Sequence, residues 1–406
     1  MKAFIKKILI MIYHIMAAVL PVNEKKAVFM SNMGRNCSGN VRAIYEKMKK
    51  DDRFKDIIRI WAFNGDFFGM AKKHGKKIFP RGCLRVRYGG LRYYFHMATA
   101  GIWIFDTRQE PYLKKRRKNF YLMTWHGTPL KKLGLDLEDL NMSGEKRNLK
   151  DYADSFIKEA AKWDCLIAQN EYSAEIFKRC FGYEGEVHIT GYPRNDRLQM
   201  ELSAEKKRKE LSEKAPKKVL LYAPTWRDDE YIGDGFYKCP SRPDFLKLQE
   251  ALGDKYRIIV KLHYLVKLLP GDIPRSCIES GFVKVYGNEV DITSLYLKAD
   301  ALIGDYTSAM FDYSVLRRPM FFFCYDYEKY RDTLRGFYTD FSEIAPGPIS
   351  KNEDELIRDI KKTFEGNGMD QYREKAEEFR QKFNELDDGL ASERVLDIVA
   401  LKTGRS

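Results

Sequence analysis

Ala301-Leu302-Ile303-Gly304-Asp305-Tyr306-Thr307-Ser308 is a short apolar run that stops at a polar turn and leads into a helical pattern near Ala309. Three other segments share this design: Tyr121-Leu122-Met123-Thr124-Trp125-His126-Gly127-Thr128, Leu220-Leu221-Tyr222-Ala223-Pro224-Thr225-Trp226-Arg227-Asp228 and Ile258-Ile259-Val260-Lys261-Leu262-His263. Strands that alternate with helical patterns predict a parallel sheet covered by helices on both faces. In such open α/β sheets ligands bind outside the carboxyl ends of the strands. The polar ends of these four runs are therefore the candidate site. Two histidines, an arginine, a lysine and several hydroxyls gathered there suit a nucleotide diphosphate and group transfer from it.

Outward from these segments the same alternation continues. Ala27 to Met30 reads as a strand, followed by a turn with Gly34 and Gly39 and a helix from Val41 to Lys50. Asp164 to Gln169, Ser173 to Phe181 and Val187 to Thr190 form another strand–helix–strand unit, ending at Gly191-Tyr192-Pro193-Arg194-Asn195-Asp196. Met200 to Lys218 is charged and helical in composition and is the expected hinge. After it the alternation restarts at Val219 and runs to Phe323. Gln371 to Leu401 closes the chain as a charged helical stretch with apolar residues three and four apart. A chain of 406 residues exceeds one comfortable core, so two α/β domains facing across a cleft are expected. The expected divisions are 1–22, 23–205, 206–370 and 371–406.

Apolar residues make up 44% of the chain and charged residues 32%, which describes a folded protein and not a disordered one. The net charge of +14 favours anionic partners: phosphates, nucleic acid or an anionic lipid leaflet. No helix-turn-helix, zinc-finger or RNA-recognition pattern supports the nucleic-acid alternative. Seven scattered cysteines without metal-ligand spacing point to inert thiols in a reducing compartment. No metal and no cofactor are expected.

Met1 to Leu20, MKAFIKKILIMIYHIMAAVL, begins basic and continues as an apolar run from Ile8. That run falls short of the roughly twenty residues needed to span a bilayer. Lys2, Lys6 and Lys7 beside Ile8, Leu9, Ile12, Ile15 and Leu20 fit a helix lying in a membrane interface. A buried first helix and a cleaved signal peptide are the alternatives, the latter weakened by the lack of a small-x-small cleavage pattern before Pro21. The basic stretches Lys72 to Arg92 and Lys114 to Lys118 are either solvated faces or, through interleaved aromatics, a membrane- or acceptor-facing surface.

Each candidate residue has a chemical reason. His126, beside the permissive Gly127, could accept a proton from a hydroxyl nucleophile, or simply hold the turn. Lys261 and His263, two residues apart at a strand end, place two cation-capable groups on one face, as a diphosphate leaving group requires. Arg227 is suited to bidentate phosphate contacts. Asp305, Thr307 and Ser308 could hold a phosphate at a helix start, or cap that helix.

These segments, with Gly191 to Asp196, Phe311-Asp312-Tyr313, Tyr325 to Arg331, Arg335-Gly336-Phe337-Tyr338 and Pro346-Gly347-Pro348, resemble the CDP-glycerol glycerophosphotransferases of wall teichoic acid synthesis. The matches run in order over most of Phe120 to Ile349. The resemblance implies a GT-B architecture, an N-terminal acceptor domain, a C-terminal donor domain and peripheral attachment to the cytoplasmic face of the membrane. It adds Thr225, Asp312 and Arg335 to the donor side, and Gly127, Thr128, Arg194, Asn195 and Asp196 to the acceptor side. His126 and His263 are its catalytic pair. The family commonly has proline after the second histidine, where this chain has Tyr264. The length resembles family primases, which add one glycerol phosphate to an undecaprenyl-diphosphate-linked ManNAc-GlcNAc. Ribitol phosphate transfer, polymerisation and capsule decoration are the rival activities.

Overall fold

The computed structural model describes residues 2–75, 78–140, 145, 147–208, 217–233, 235–239, 243–334 and 336–405, and the chain falls into two compact units. The first comprises Met1–His126, Ala153–Asp196 and Leu386–Ser406; the second comprises Gly127–Tyr152 and Arg197–Glu385. The expected hinge lies partly on the helix Asp196–Arg208 and partly outside the described residues.

The first unit holds strands β1 (Asn23–Met30), β2 (Ile58–Phe63), β3 (Leu84–Arg87), β4 (Ala100–Phe105), β5 (Phe120–Met123), β6 (Cys165–Ala168) and β7 (Val187–Ile189). They form one sheet in the order β3-β2-β1-β4-β5-β6-β7, every pairing parallel. The second unit holds β8 (Lys218–Tyr222), β9 (Tyr231–Gly233), β10 (Phe236–Lys238), β11 (Tyr256–Val260), β12 (Val266–Lys267), β13 (Val283–Val285), β14 (Ala301–Gly304), β15 (Met320–Phe323) and β16 (Ile349–Ser350). Its main sheet runs β13-β11-β8-β14-β15-β16, again all parallel, while β12-β10-β9 form a small side sheet. Counted from its own first strand, the second unit's main sheet follows the doubly wound order 3-2-1-4-5-6, and the first unit's sheet extends that order by a seventh strand.

The sequence accounts for this. Strands buried on both faces read as continuous apolar runs, and β4, β5, β14 and β15 are buried at every position. Asparagine and aspartate side chains start the covering helices: Asn64 accepts from Phe67 N–H, Asn170 from Ser173 N–H and Asn352 from Glu355 N–H. In the first unit Phe29, Trp61 and Phe63 stack in a row under the helix Gly39–Met48.

Two expectations change. The C-terminal stretch forms two helices, Arg373–Phe383 and Ala391–Lys402, because the turn between them places Gly389 at a φ of 95°. The second of these joins the first unit's core through Val395, Leu396 and Val399. At the other terminus the helix Lys2–Val19 has two faces. Tyr13 is fully buried against Tyr94, and its hydroxyl donates to the Lys114 carbonyl and accepts from the Lys114 N–H. Given that docking, the 3.6-residue period turns Phe4, Ile8, Met11, Ile15 and Val19 outward. Leu9, Ile12 and Leu20, expected on the outer stripe, are half-buried instead, and Lys6 is drawn to Glu110 at 3.6 Å. Among the described residues no helix is long and apolar enough to cross a membrane.

Candidate functional site

In a doubly wound sheet the crevice opens where the strand order reverses, between β1 and β4 in the first unit and between β8 and β14 in the second. Chemistry-bearing residues collect at both places.

In the first unit His126 follows β5, the neighbour of β4. Its Nδ1 lies 2.8 Å from the main-chain carbonyl oxygen of Asp106, which follows β4. A carbonyl can only accept, so Nδ1 carries the proton and Nε2 presents a lone pair. The ring is reachable from solvent, yet surrounding protein disfavours its charged form. That crowding lowers the imidazole to about 4, against the Asp106 hydrogen bond and with help from the Arg194 and Arg108 cations. Trp125 stacks on the ring at 4.3 Å and is held at a φ of 48°. A tryptophan in the left-handed region costs on the order of 1–3 kcal/mol and persists only where its surroundings enforce it.

The loop Ser31–Asn36 belongs to the same place, and sequence reading missed it. Asn32 and Met33 both have positive φ, 46° and 54°. Asn32 N–H donates to the Asp106 carboxylate at 2.8 Å, and that buried carboxyl is pushed up to about 7 by burial. Gly34 and Gly39 hinted at this turn, but strand order, which makes it the switch point, is not written locally.

Arg194, expected on the acceptor side, donates from Nη1 to the His126 carbonyl at 2.8 Å and so stands beside the histidine. Asn195 and Asp196 do not. Asn195 is fully buried and donates to Asp387, while Asp196 accepts from the Ala391 and Ser392 N–H groups and caps the last helix. Their motif is legible because it anchors the C-terminal segment. Gly191 is part of the same anchor: at a φ of 70°, a Cβ there would meet the Leu386 carbonyl. Gly127 and Thr128 are buried and count with the second unit.

In the second unit the ends of three adjacent strands, β11, β8 and β14, carry the predicted donor residues. Asp305 accepts from the Thr225 N–H at 2.8 Å and from Arg227 at 2.9 Å. Arg227 is 1% exposed, forks onto Asp326 at 2.7 and 3.0 Å, donates to the Thr225 carbonyl and lies over the rings of Tyr306, Tyr325 and Tyr330. It is therefore not a phosphate clamp here. A charge this deeply buried has to be paired, and two aspartates and a carbonyl occupy most of its donors.

Lys261 and His263 lie beyond the end of β11, so strand alternation does not set their directions. Lys261 donates to the Gly287 carbonyl at 2.7 Å, and burial pulls its ammonium down to about 8. His263 Nδ1 accepts from the Leu265 N–H at 3.3 Å, which puts the proton of the neutral ring on Nε2. The two histidines thus hold opposite tautomers: Nε2 of His126 accepts, Nε2 of His263 donates. Thr307 Oγ1 accepts from Ala309 N–H and Ser308 precedes the helix Ala309–Tyr313, both half-buried. Asp312 is buried within that helix, and Arg335 lies outside the described residues.

The family described as CDP-glycerol:poly(glycerophosphate) glycerophosphotransferase matches residues 12–401. The chain is 38% identical over 384 residues to the teichoic acid glycerol-phosphate transferase of Staphylococcus aureus (strain NCTC 8325 / PS 47), covering 93% of each. It is also 38% identical over 393 residues to the teichoic acid poly(glycerol phosphate) polymerase of Bacillus subtilis (strain 168), covering 95% of this chain. The chain spans about half the length of that second relative, 50%. Among solved structures it is similar to the wall teichoic acid polymerase TagF in a variant soaked with CDPG. There the TM-score is 0.83 at 34% identity, over 98% of this chain and 94% of that one.

Proposed function

Because the chain belongs to the CDP-glycerol:poly(glycerophosphate) glycerophosphotransferase family, we propose that it moves glycerol phosphate from CDP-glycerol to an acceptor hydroxyl and releases CMP. The proposed acceptor is an undecaprenyl-diphosphate-linked ManNAc-GlcNAc that receives one unit. We read the two doubly wound units as a GT-B pair, acceptor side first and donor side second.

The observation that carries this reading is the pair of fixed tautomers. The acceptor oxygen forms a bond to the glycerol-bearing phosphorus, its proton passes to Nε2 of His126, and the bond from that phosphorus to the CMP oxygen breaks. His263, with its proton on Nε2, donates a hydrogen bond to the phosphoryl oxygens as charge moves to CMP. Positioning and electrostatics supply most of such a transfer. A neutral His126 is ready to accept over the whole physiological range, and the anionic donor raises its basicity as it binds.

The test is His126→Ala against His263→Ala. The first should cut kcat by on the order of 10²–10⁴ and leave CDP-glycerol binding intact, as expected of a proton acceptor acting in the transition state. Near wild-type turnover in His126→Ala would remove the histidine from this role.

The proposed location is the cytoplasmic face of the membrane. Support comes from the helix Lys2–Val19, whose outward stripe leaves Phe4 67%, Met11 57% and Val19 71% exposed beside Lys7.

A further inference from the structure

A cavity of about 430 Å³ opens in the first unit at the amino ends of β1, β4, β5 and β6, the opposite end of the sheet from His126. Its walls include Glu24, Gly101, Asn119, Asp164 and three cations, Arg117, Lys118 and Lys402. The three cations have no ion-pair partner among the described residues. Asp164 is already occupied, taking Lys115 at 2.6 Å and the Tyr121 N–H at 2.8 Å. The main-chain carbonyl of Glu24 accepts from Arg405, and its carboxylate has no ion-pair partner among the described residues.

The backbone here departs from a regular ladder. Between Asn23↔Ala100 and Ala27↔Ile102, β1 spends four residues where β4 spends two. Such bulges re-aim side chains. The irregularity places Glu24 over Gly101, where a Cβ would come within 2.7 Å of the Glu24 Cα. The cavity volume suits a small ligand. Three free cations ask for a phosphate, and one free carboxylate asks for hydroxyl donors.

We propose that this cavity binds a polyol phosphodiester, specifically a glycerol phosphodiester, at a site separate from the two switch-point crevices. Arg117, Lys118 and Lys402 hold the phosphate, and Glu24 accepts from the glycerol hydroxyls. The same chemistry is carried by a free glycerophosphate chain and by a phosphatidylglycerol headgroup. Arg116 donates to the Leu20 carbonyl just past the N-terminal helix, which brings the cavity rim beside the end of that helix.

The test uses the full chain and two probes: soluble glycerophosphoglycerol in calorimetry, and vesicles of phosphatidylglycerol in phosphatidylcholine in sedimentation. Replacing Arg117, Lys118 and Lys402 together by alanine should weaken the probe that occupies the site by about tenfold or more, with an unchanged melting temperature. The single reversal Lys402→Glu should do the same in a smaller step. Loss for the soluble diester identifies a free chain, and loss for vesicles alone identifies the headgroup. Glu24→Gln should erase the preference for glycerophosphoglycerol over dimethyl phosphate. The proposal fails if neither probe binds, if both bind the triple variant as they bind the wild type, or if the wild type shows no such preference.

Discussion

The Arg227 guanidinium donates to the Asp305 carboxylate at 2.9 Å across the first and fourth strands of the second unit's main sheet, with both side chains buried. The bond joins the turns after β8 and β14, the two strands whose divergence opens the crevice. Arg227→Ala would leave the buried Asp305 carboxylate and the half-buried Asp326 carboxylate without their cation. The expected cost is about 3–5 kcal/mol of stability, measured by urea unfolding. Arg227→Lys should recover only part of it, since an ammonium cannot fork onto Asp326 while reaching Thr225 and Asp305. A variant that kept its stability and merely raised the KM for CDP-glycerol would instead mark Arg227 as a ligand contact.

Asp106 and His126 give a stability prediction of definite sign. Asp106 is raised from 3.8 to about 7, so its contribution is full below pH 3.8 and is lost as pH rises through 7. His126 is lowered from 6.5 to about 4, so its contribution is full above pH 6.5 and is lost as pH falls towards 4. Between about pH 4 and 6.5 the two slopes oppose each other. Asp106→Asn keeps an oxygen for the Asn32 N–H and removes one titration. Relative to wild type, its stability should rise with pH through that window by up to about 1.4 kcal/mol per unit. Parallel curves for the two proteins, from thermal melts at a series of pH values, would show that Asp106 does not titrate there.

Turnover should be the same in EDTA as in added Mg²⁺. Among the described residues no three His, Cys, Asp or Glu side chains gather as metal ligands, and Lys261, His263, Thr307 and Ser308 stand at the strand ends where the diphosphate is proposed to lie. Loss of CMP release on chelation, restored by Mg²⁺, would overturn this.

How legible the sequence is differs between the sheet and the crevices. β5 and β14 could be read directly, because a strand covered on both faces has no polar positions to confuse the pattern. His126 and His263 were marked out by position, each lying just past a mostly apolar strand, while their roles rest on the proposal above. Arg227 was misread: its bonds go to Asp305 and Asp326, 78 and 99 residues away, and no local pattern separates a phosphate clamp from a buried tie. The same holds for Asn195 and Asp196, whose partners Asp387, Ala391 and Ser392 lie near the far end of the chain. The Ser31–Asn36 loop stayed hidden because it matters through its place between β1 and β4, a property of topology alone.

The outward stripe of the first helix gives the remaining prediction. Deleting the helix would confuse two effects, because Tyr13 is a core residue and its loss would strip Tyr94 and the Lys114 main chain of their partner. Substituting outward residues alone avoids this. Met11→Ser with Ile15→Ser removes apolar surface from side chains that are 57% and 54% exposed, so the melting temperature should change little. Each buried CH₂ is worth about 0.8 kcal/mol at a membrane, so losing two large side chains should lower vesicle affinity by more than tenfold. Turnover of a membrane-embedded acceptor should fall in step, while a short water-soluble acceptor should be processed as before. Unchanged vesicle sedimentation in the double variant would mean that the stripe meets something other than lipid. Equal losses with both acceptors would mean that the helix acts on the chemistry and not on location.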